Sequence, residues 1–174
     1  MFVALGEEPG FCQWVSRFGR QATLAAPTRH GGWSGAALVY LRSALLFEAP
    51  RSAAFRSTVE AARRDGALLA LELGDASWVR GRGRPQTAYE LAGIRPDILF
   101  ASSDAAAELG VPLEGIASIP VVLESGGCSV HGRRLPSPSS SNKADALAAA
   151  FCVAFIEGAA PVEAAGRAVL VAAG

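Results

Sequence analysis

Short apolar runs that alternate with helical stretches limit what this chain can fold into. The run from Ala67 to Leu73 is continuous and bounded by turn residues, as is typical of a strand buried on both faces. The stretch before it, Ser52 to Arg64, carries apolar side chains at helical spacing and is followed by Gly66, a residue that favours a helix end. Strands and helices in alternation predict right-handed crossovers and a mainly parallel sheet covered on both faces. We therefore expect a three-layer α/β/α fold.

The same pattern predicts the other elements from about residue 36 onward. Strands are expected at Ala37–Leu41, Ala44–Glu48, Asp97–Ala101 and Ile119–Leu123, helices at Pro85–Gly93 and Asp104–Leu109, an antiparallel excursion at Cys128–Val130 and Arg133–Leu135, and two helices at the end of the chain. Residues 1 to 35 show no pattern that assigns them to an element. Ligands of such sheets bind beyond the carboxyl ends of the strands, so a site is expected there.

A polar, Ser-rich loop that leads into a small-residue helix is the candidate functional motif. It reads SSSNKADALAAAFCVAFIEG, from Ser139 to Gly158, with Asp145 in the first turn of the helix. Such a junction presents free backbone N–H groups and the positive end of the helix dipole to an anion. Asp145 could take a proton from an attacking hydroxyl, or it could simply be the acidic residue that a helix start favours. Spacing alone favours the second interpretation.

This motif resembles the C-terminal signature of the PfkB/ribokinase family of carbohydrate kinases, D-T-T-G-A-G-D-A-F followed by a small-residue helix. Ser139, Ser140 and Ser141 stand at D-T-T, Asn142, Lys143 and Ala144 stand at G-A-G, Asp145 and Ala146 match, and Leu147 replaces Phe. The segment Pro161 to Gly174 resembles the next helix of the family, which packs behind the nucleotide site. The resemblance implies a site for ATP with Mg²⁺ and for a sugar-like small molecule, with Asp145 as the base.

A second match lies upstream, where Arg95 to Gly110, RPDILFASSDAAAELG, resembles the family segment A-D-I-L-F-P-N-E-E-E-A. The matches run from about Ala36 to the end of the chain and correspond to the nucleotide-binding, C-terminal part of the family. The N-terminal portion, with most sugar-binding residues and the lid, has no counterpart in them. We expect one ribokinase-like domain over residues 1–174 without that lid portion.

The departures from the family pattern lie at one site. The N-x-x-E motif falls on Ser102 and Ala105, and Glu124 ends the strand where the family has T-x-G. The glycines of G-A-G, which let backbone amides approach a phosphate, are replaced by Asn142 and Ala144. Glu72 and Gly74 stand in place of a D-x-N pair. The residues that the resemblance assigns to nucleotide or anion binding are Asn142, Lys143, Ala144, Ser102 and Glu124. Their identities imply altered or lost chemistry.

Charge and cysteine content exclude several classes of function and of binding site. Lys plus Arg and Asp plus Glu number 16 each, so no global attraction to nucleic acid or to an anionic membrane is expected. No apolar run is long enough to span a bilayer, and the start of the chain lacks a signal peptide, which favours a cytoplasmic protein. Three cysteines without C-x-x-C spacing predict neither a disulfide framework nor a zinc site. We predict no protein metal site.

Two further segments have alternative interpretations. The stretch RGRGRP, with Arg80, Arg82 and Arg84, is expected to be a flexible, solvated basic loop; a phosphate or RNA contact is the alternative. The run from Pro136 to Ser141 has the composition of a linker and is expected to form a mobile loop over the site.

Three functions follow from these residues. The leading hypothesis is a PfkB/ribokinase-like carbohydrate kinase homologue, catalytically impaired or inactive, with residual nucleotide or anion binding. The second is an active ATP-dependent sugar kinase that uses Asp145 as its base. The third is a non-catalytic assembly module. A sheet edge left uncovered by the absent lid predicts a homodimer, because exposed edges tend to pair.

Overall fold

The computed structural model describes residues 1–5, 9–25, 35–44, 51–138 and 143–174 of this 174-residue chain. Eight strands in these ranges form one sheet. They are β1 (Phe2–Leu5), β2 (Ala22–Ala25), β3 (Leu38–Arg42), β4 (Leu68–Glu72), β5 (Ile98–Ser102), β6 (Ile119–Glu124), β7 (Gly127–Val130) and β8 (Arg133–Pro136). Their order is β2-β1-β3-β4-β5-β6-β7-β8. The first six strands are parallel, and the last two add an antiparallel edge.

Helices in the described ranges cover both faces of the sheet. They are α1 (Pro9–Arg17), α2 (Arg51–Arg64), α3 (Ala76–Arg82), α4 (Arg84–Ile94), α5 (Ser103–Leu109), α6 (Ala144–Ile156) and α7 (Pro161–Ala172), with a 3₁₀ turn at Leu113–Gly115. Helices α1, α6 and α7 pack in one hydrophobic layer, and α2 to α5 pack in the other. None of the described helices is both long and apolar enough to cross a bilayer.

The alternation of side chains along each strand produces these two layers. Leu38 and Tyr40 of β3 belong to the layer of α6, whereas Val39 and Leu41 belong to the layer of α2. All four are buried, which explains why the strands of this sheet read as continuous apolar runs.

Helix α6 lies at the centre of its layer, packed between α1 and α7. Every residue from Ala146 to Ala154 is buried, so the helix is apolar all round. The small residues of the motif therefore serve close packing, and the polar residues are confined to the first turn. This arrangement fixes that turn, with Asp145, at the carboxyl edge of the sheet.

Most element predictions are confirmed. The predicted strands at 67–73, 97–101 and 119–123 and the antiparallel excursion appear as β4, β5, β6 and the β7–β8 pair, and the predicted helices appear as α2, α4, α5, α6 and α7. Of the strand predicted at 44–48, only Ala44 is described, and it is helical; residues 45–48 lie outside the described residues.

The N-terminal residues, which no sequence pattern assigned, add a complete unit to the sheet. Strand β1 lies between β2 and β3, and α1 packs its buried Phe11 and Val15 into the layer of α6. The ring of Phe11 stacks on that of Tyr40, with centroids 4.0 Å apart. These residues therefore form part of the same sheet and core as the segments that resemble the kinase family.

The prediction of a flexible basic loop at RGRGRP is wrong. Helix α3 ends at Arg82 and α4 begins at Arg84, with only Gly83 between them. Gly83 has φ 93°, a conformation that glycine adopts without steric cost, so one residue suffices to join the helices. Arg80 and Arg84 pair with Glu108 of α5 at 2.7 and 2.9 Å, and these two arginines, Arg84 foremost, hold the pKa of that carboxyl below its usual value. The arginines thus link three helices to one another.

Candidate functional site

A cleft lies at the carboxyl ends of β3, β4, β5 and β6, where the first turn of α6 approaches the sheet. Its volume is about 390 Å³. The residues that line it are Arg42, Ala44, Glu72, Leu73, Gly74, Asp75, Trp78, Phe100, Ser102, Leu123 and Ala144. This is the edge at which open α/β sheets bind their ligands, so the cleft occupies the expected position.

Arg42 and Glu72, which line the cleft, form a cluster with the buried Tyr40. The buried Tyr40 hydroxyl donates a hydrogen bond of 2.5 Å to Oε2 of Glu72, and Arg42 Nε donates one of 3.1 Å to the same oxygen. Burial, followed by the neighbouring charge of Glu72, raises the pKa of Tyr40 well above its ordinary value. Tyr40 therefore stays protonated as a donor, and Oε2 of Glu72 is satisfied from within the protein.

Asp145 lies in the first turn of α6, as expected, and its carboxylate has protein neighbours on both sides. Oδ1 lies 3.9 Å from Nη2 of Arg42. Oδ2 lies against the first turn of α1, so close that a Cβ placed on Gly10 would lie 2.1 Å from it. Only glycine permits this approach. The negative charge of Asp145 therefore adjoins the positive ends of two helix dipoles, those of α1 and α6.

Ser102 and Glu124 are the last residues of the neighbouring strands β5 and β6, but their side chains contact different groups. Ser102 lines the cleft, and its Oγ accepts a hydrogen bond of 3.1 Å from the backbone N–H of Ala105, which caps α5. Glu124 pairs with Arg134 of β8 at 2.9 Å and is not among the residues that line the cleft in the described part of the chain. The negative charge expected beside an anionic ligand is thus directed to the antiparallel edge.

The two described residues at the G-A-G positions of the family motif, Lys143 and Ala144, have different neighbours. Ala144 lines the cleft, and Lys143 is the residue that precedes α6. The ammonium of Lys143 lies 5.8 Å from the ring centre of Trp14 in α1, above the face of that ring. Asn142, together with the serines of the predicted mobile loop at 139–141, lies outside the described residues.

Sequence reasoning missed Gly10, Arg42 and Tyr40 as neighbours of the site. Gly10 and Arg42 both contact Asp145, yet they are more than 100 residues away from it in sequence. The signals that could have found them are a glycine in the first turn of a helix and a charged residue at the end of an apolar strand. Both signals are common, and neither is informative until the strand order is known.

The donor set for a metal ion is small. Glu72 and Asp75 line the cleft and carry the oxygen ligands that Mg²⁺ prefers. Asp75 also caps α3: its carboxylate accepts from the Ser77 hydroxyl and from the Trp78 N–H, and these bonds, the Ser77 one foremost, lower its pKa. Within the described ranges, no group of three or more His, Cys, Asp or Glu side chains is placed to hold a metal ion. Magnesium would therefore be held chiefly by the phosphates of a nucleotide and by water.

Solved kinase structures share this fold. Adenosine kinase from Sinorhizobium meliloti matches with a TM-score of 0.68 at 19% identity, over 80% of this chain and 48% of that one. A carbohydrate kinase from Agrobacterium tumefaciens matches with a TM-score of 0.63 at 16% identity, over 98% of this chain and 72% of that one. Aminoimidazole riboside kinase from Salmonella enterica, solved with aminoimidazole riboside and an ATP analogue, matches with a TM-score of 0.62 at 13% identity. The match covers 78% of this chain and 55% of that one.

These likenesses define the architecture as a shortened ribokinase-like fold, and the predicted fold class is confirmed. The chain spans about half the length of the adenosine kinase, 48%. At identities below one fifth, the likeness establishes the fold and leaves the activity to the site. No model of a known protein family matches the sequence, and no curated protein sequence matches it either.

Proposed function

We propose that this chain is a ribokinase-like carbohydrate kinase homologue in which phosphoryl transfer is impaired or lost. The observation that carries the proposal is the position of the Asp145 carboxylate. One oxygen packs against Gly10 and the other faces Arg42 at 3.9 Å. A general base must reach the acceptor hydroxyl within hydrogen-bond distance, directly or through one water. A carboxylate packed against two protein groups offers little room for that acceptor.

The start of α6 supports the same proposal. A phosphoryl-transfer site needs several backbone N–H groups close to the phosphate oxygens, and glycine allows that approach best. Asn142 and Ala144 both carry a Cβ where the kinase family has glycine. The Lys143 ammonium, which could have compensated with charge, lies over Trp14. Weak stabilisation of the transferred phosphoryl group is therefore expected even where a nucleotide binds.

We propose that the cleft retains weak binding of ATP as its magnesium complex. Among the side chains that line it, Arg42 carries the positive charge and Glu72 and Asp75 carry negative charges. Arg42 is in addition hydrogen-bonded to Glu72 at 3.1 Å. Free ATP would be repelled by this cleft, whereas a metal-bound nucleotide presents a cation to the carboxylates. The helix start at Ala144 contributes the positive end of a dipole.

An ATP-consumption assay with a panel of sugars and nucleosides tests the main proposal. We expect wild-type turnover to be indistinguishable from that of Asp145→Asn. Glu163→Gln, at an exposed position of α7, is the matched control for loss of a helical carboxylate near a first turn. Turnover that falls about 100-fold or more in Asp145→Asn alone, the size typical for a general base, would contradict impairment.

Calorimetric titration tests the binding proposal and includes metal removal. Mg·ATP should release or absorb heat with a saturable profile, in both the wild type and Asp145→Ala, because Asp145 is not a principal binding group. Chelation of the metal should abolish the signal, since the carboxylates Glu72 and Asp75 then face bare phosphates. Binding of ATP with equal affinity with and without Mg²⁺ would contradict this charge argument.

The active sugar kinase is the second candidate, and one observation favours it. The Asp145 side chain is 35% exposed at the carboxyl edge of the sheet, so a substrate that displaces Arg42 could still reach it. The assay above separates this candidate from the main proposal.

The homodimer is a third proposal: within the described ranges β2 pairs only with β1, and Leu24 on it is 47% exposed. A molar mass by light scattering that is independent of concentration and equal to one chain would exclude it.

A further inference from the structure

A second pocket lies between α2 and α4, in the helix layer on the face of the sheet opposite α6. Its volume is about 590 Å³, within the range of small-molecule sites. Its lining includes Arg56, Glu60 and Arg63 of α2, and Gln86, Tyr89 and Glu90 of α4. The C-terminal turns of α2 and α4 lead into the starts of β4 and β5, so the pocket extends toward the sheet edge opposite the cleft.

Glu90 is the unusual residue of this pocket. Its side chain is only 8% exposed. Oε1 accepts hydrogen bonds from Gln86 Nε2 and, at 3.4 Å, from Nη2 of Arg82. Oε2 is buried and has no hydrogen-bond partner among the residues that the structure describes. Since an unpaired buried carboxylate oxygen costs free energy, Oε2 of Glu90 is a candidate acceptor for a bound ligand.

Arg63, which lines the pocket near the end of α4, is hydrogen-bonded to the backbone. Nη2 of Arg63 donates to the backbone oxygens of Ile94 and, at 2.8 Å, of Arg95. These bonds satisfy carbonyl groups at the C-terminal end of α4. Arg56 and Glu60 are both exposed on α2, and the two arginines of the lining, Arg56 and Arg63, balance the two glutamates, Glu60 and Glu90, in formal charge. The pocket thus has a buried acceptor without a described donor and a lining without formal net charge.

Tyr89 adds a second recognition element. It lies next to Glu90 in sequence, lines the same pocket, and is 77% exposed, which is unusual for a large aromatic side chain. An exposed aromatic ring attracts organic cations through its π face. A buried carboxylate oxygen beside an exposed ring is the combination that selects a cation with N–H donors over an anion or a neutral polyol.

We propose that this pocket binds a small organic cation, a guanidinium or primary ammonium group on a short aliphatic stem, which donates a hydrogen bond to Oε2 of Glu90 once a rotation of that side chain opens the oxygen to the pocket. The stem contacts the apolar wall of the pocket, and Tyr89 covers the cation from the solvent side. The same chemistry is presented by a free alkylamine metabolite and by an arginine or lysine side chain of another protein. This site is separate from the cleft and does not depend on kinase activity.

Calorimetric titration of the full chain with butylguanidinium and with butylammonium tests the proposal. Saturable binding to the wild type is expected, weakened about ten-fold or more in Glu90→Gln, the effect of losing a charged hydrogen bond. Glu60→Gln, at the exposed rim, should change the affinity by less than about two-fold. Absence of saturable binding to the wild type, or equal affinities for the wild type and Glu90→Gln, would overturn the proposal.

Two further arms sharpen this test. Butyltrimethylammonium has the charge but no N–H donor, so it should bind the wild type less tightly than butylammonium. Glu90→Gln should lower its affinity less than it lowers that of butylammonium. Equal binding of the two ammonium probes would refute the hydrogen bond. Capped arginine, N-acetylarginine methylamide, distinguishes the sources: tighter binding than butylguanidinium indicates a protein side chain, and weaker binding indicates a free small cation.

A variant that keeps the buried carboxylate protects the test against a folding defect in Glu90→Gln. Tyr89→Ala removes an exposed ring and should fold as the wild type does. It should weaken both primary probes about two- to five-fold, the contribution of an exposed cation–π contact. Unchanged affinity in a folded Tyr89→Ala would remove the ring from the proposed site.

Discussion

The carboxylates at the carboxyl-edge cleft and the carboxylate at the pocket between α2 and α4 differ in their contacts with the protein. At the cleft, Glu72 is hydrogen-bonded to Tyr40 and Arg42, and Asp145, next to the cleft-lining Ala144, is packed between α1 and Arg42. In the pocket, Oε2 of Glu90 is buried and has no partner among the described residues. Where the fold predicts a ligand, the carboxylates have neighbouring groups within the protein, whereas Oε2 of Glu90 lies at a pocket that the fold does not predict and has no described donor.

This difference separates two questions that a shared fold tends to merge. The ribokinase-like architecture explains where the cleft lies, because parallel strands end there and α6 begins there. It does not explain what the cleft binds, since that depends on groups that are free to meet a ligand. The hydrogen bonds to Oε2 of Glu72 and the packing of Asp145 against α1 favour a structural role for this cluster. An unsatisfied oxygen of Glu90 favours recognition.

The two tyrosines of the chain provide the largest expected contrast between the regions. Tyr40→Phe removes the buried hydroxyl that donates to Glu72 at 2.5 Å and should lower the free energy of unfolding by about 1.5–3 kcal/mol, as for a hydrogen bond to a charged group. Tyr89→Phe, at the exposed rim of the pocket, should change it by less than about 0.5 kcal/mol. Urea unfolding measures both. Equal effects would remove the contrast.

Alkaline pH sharpens this contrast further. The folded-state pKa of Tyr40 is raised by burial and by Glu72, whereas the unfolded state ionises near its ordinary value of about 10. Below that pH both states are protonated and the stabilisation is complete; above it only the unfolded chain loses its proton, so stability falls as pH rises. The wild type and Tyr89→Phe should therefore lose stability above about pH 10 more steeply than Tyr40→Phe. Parallel profiles would contradict the buried hydrogen bond.

Two helical glycines provide the next contrast. Gly10→Ala places a Cβ 2.1 Å from Oδ2 of Asp145 and should lower the free energy of unfolding by about 1–3 kcal/mol, as overpacking does. Gly93 lines the pocket with no atom within 4 Å of the corresponding Cβ position. Gly93→Ala should therefore raise it by about 0.5–1 kcal/mol through helix propensity alone. Thermal unfolding compares the pair, and a stabilising Gly10→Ala would show that Asp145 is not held against α1.

Much of the fold could be predicted because its signals are local. Continuous apolar runs mark the central strands, and a helix that ends before a glycine, as α2 does before Gly66, is readable from spacing. Residues 1 to 35 carried no such signal: β1 and β2 have four residues each, too few for a periodicity. RGRGRP was misassigned because alternating glycines suggest a loop, whereas pairing of Arg80 and Arg84 with Glu108 stabilises helices there.

The candidate site was predictable only in part. The position of Asp145 in the first turn of α6 follows from local sequence, and the carboxyl edge of the sheet follows from the strand pattern. Its contacts with Gly10 and Arg42 depend on β1 lying beside β3, a long-range arrangement that spacing does not encode. Glu90 was not recognised because an isolated glutamate in a helix gives no signal of burial.

The free energy of unfolding of Asp145→Asn tests most directly whether the Asp145 carboxylate has a structural role. This substitution removes the charge and keeps the shape. If the carboxylate stabilises the starts of α1 and α6 and faces Arg42, the free energy should fall by about 1 kcal/mol relative to the wild type. An unchanged or higher free energy is expected of a residue kept for catalysis at the expense of stability, and it would contradict the structural role assigned to Asp145.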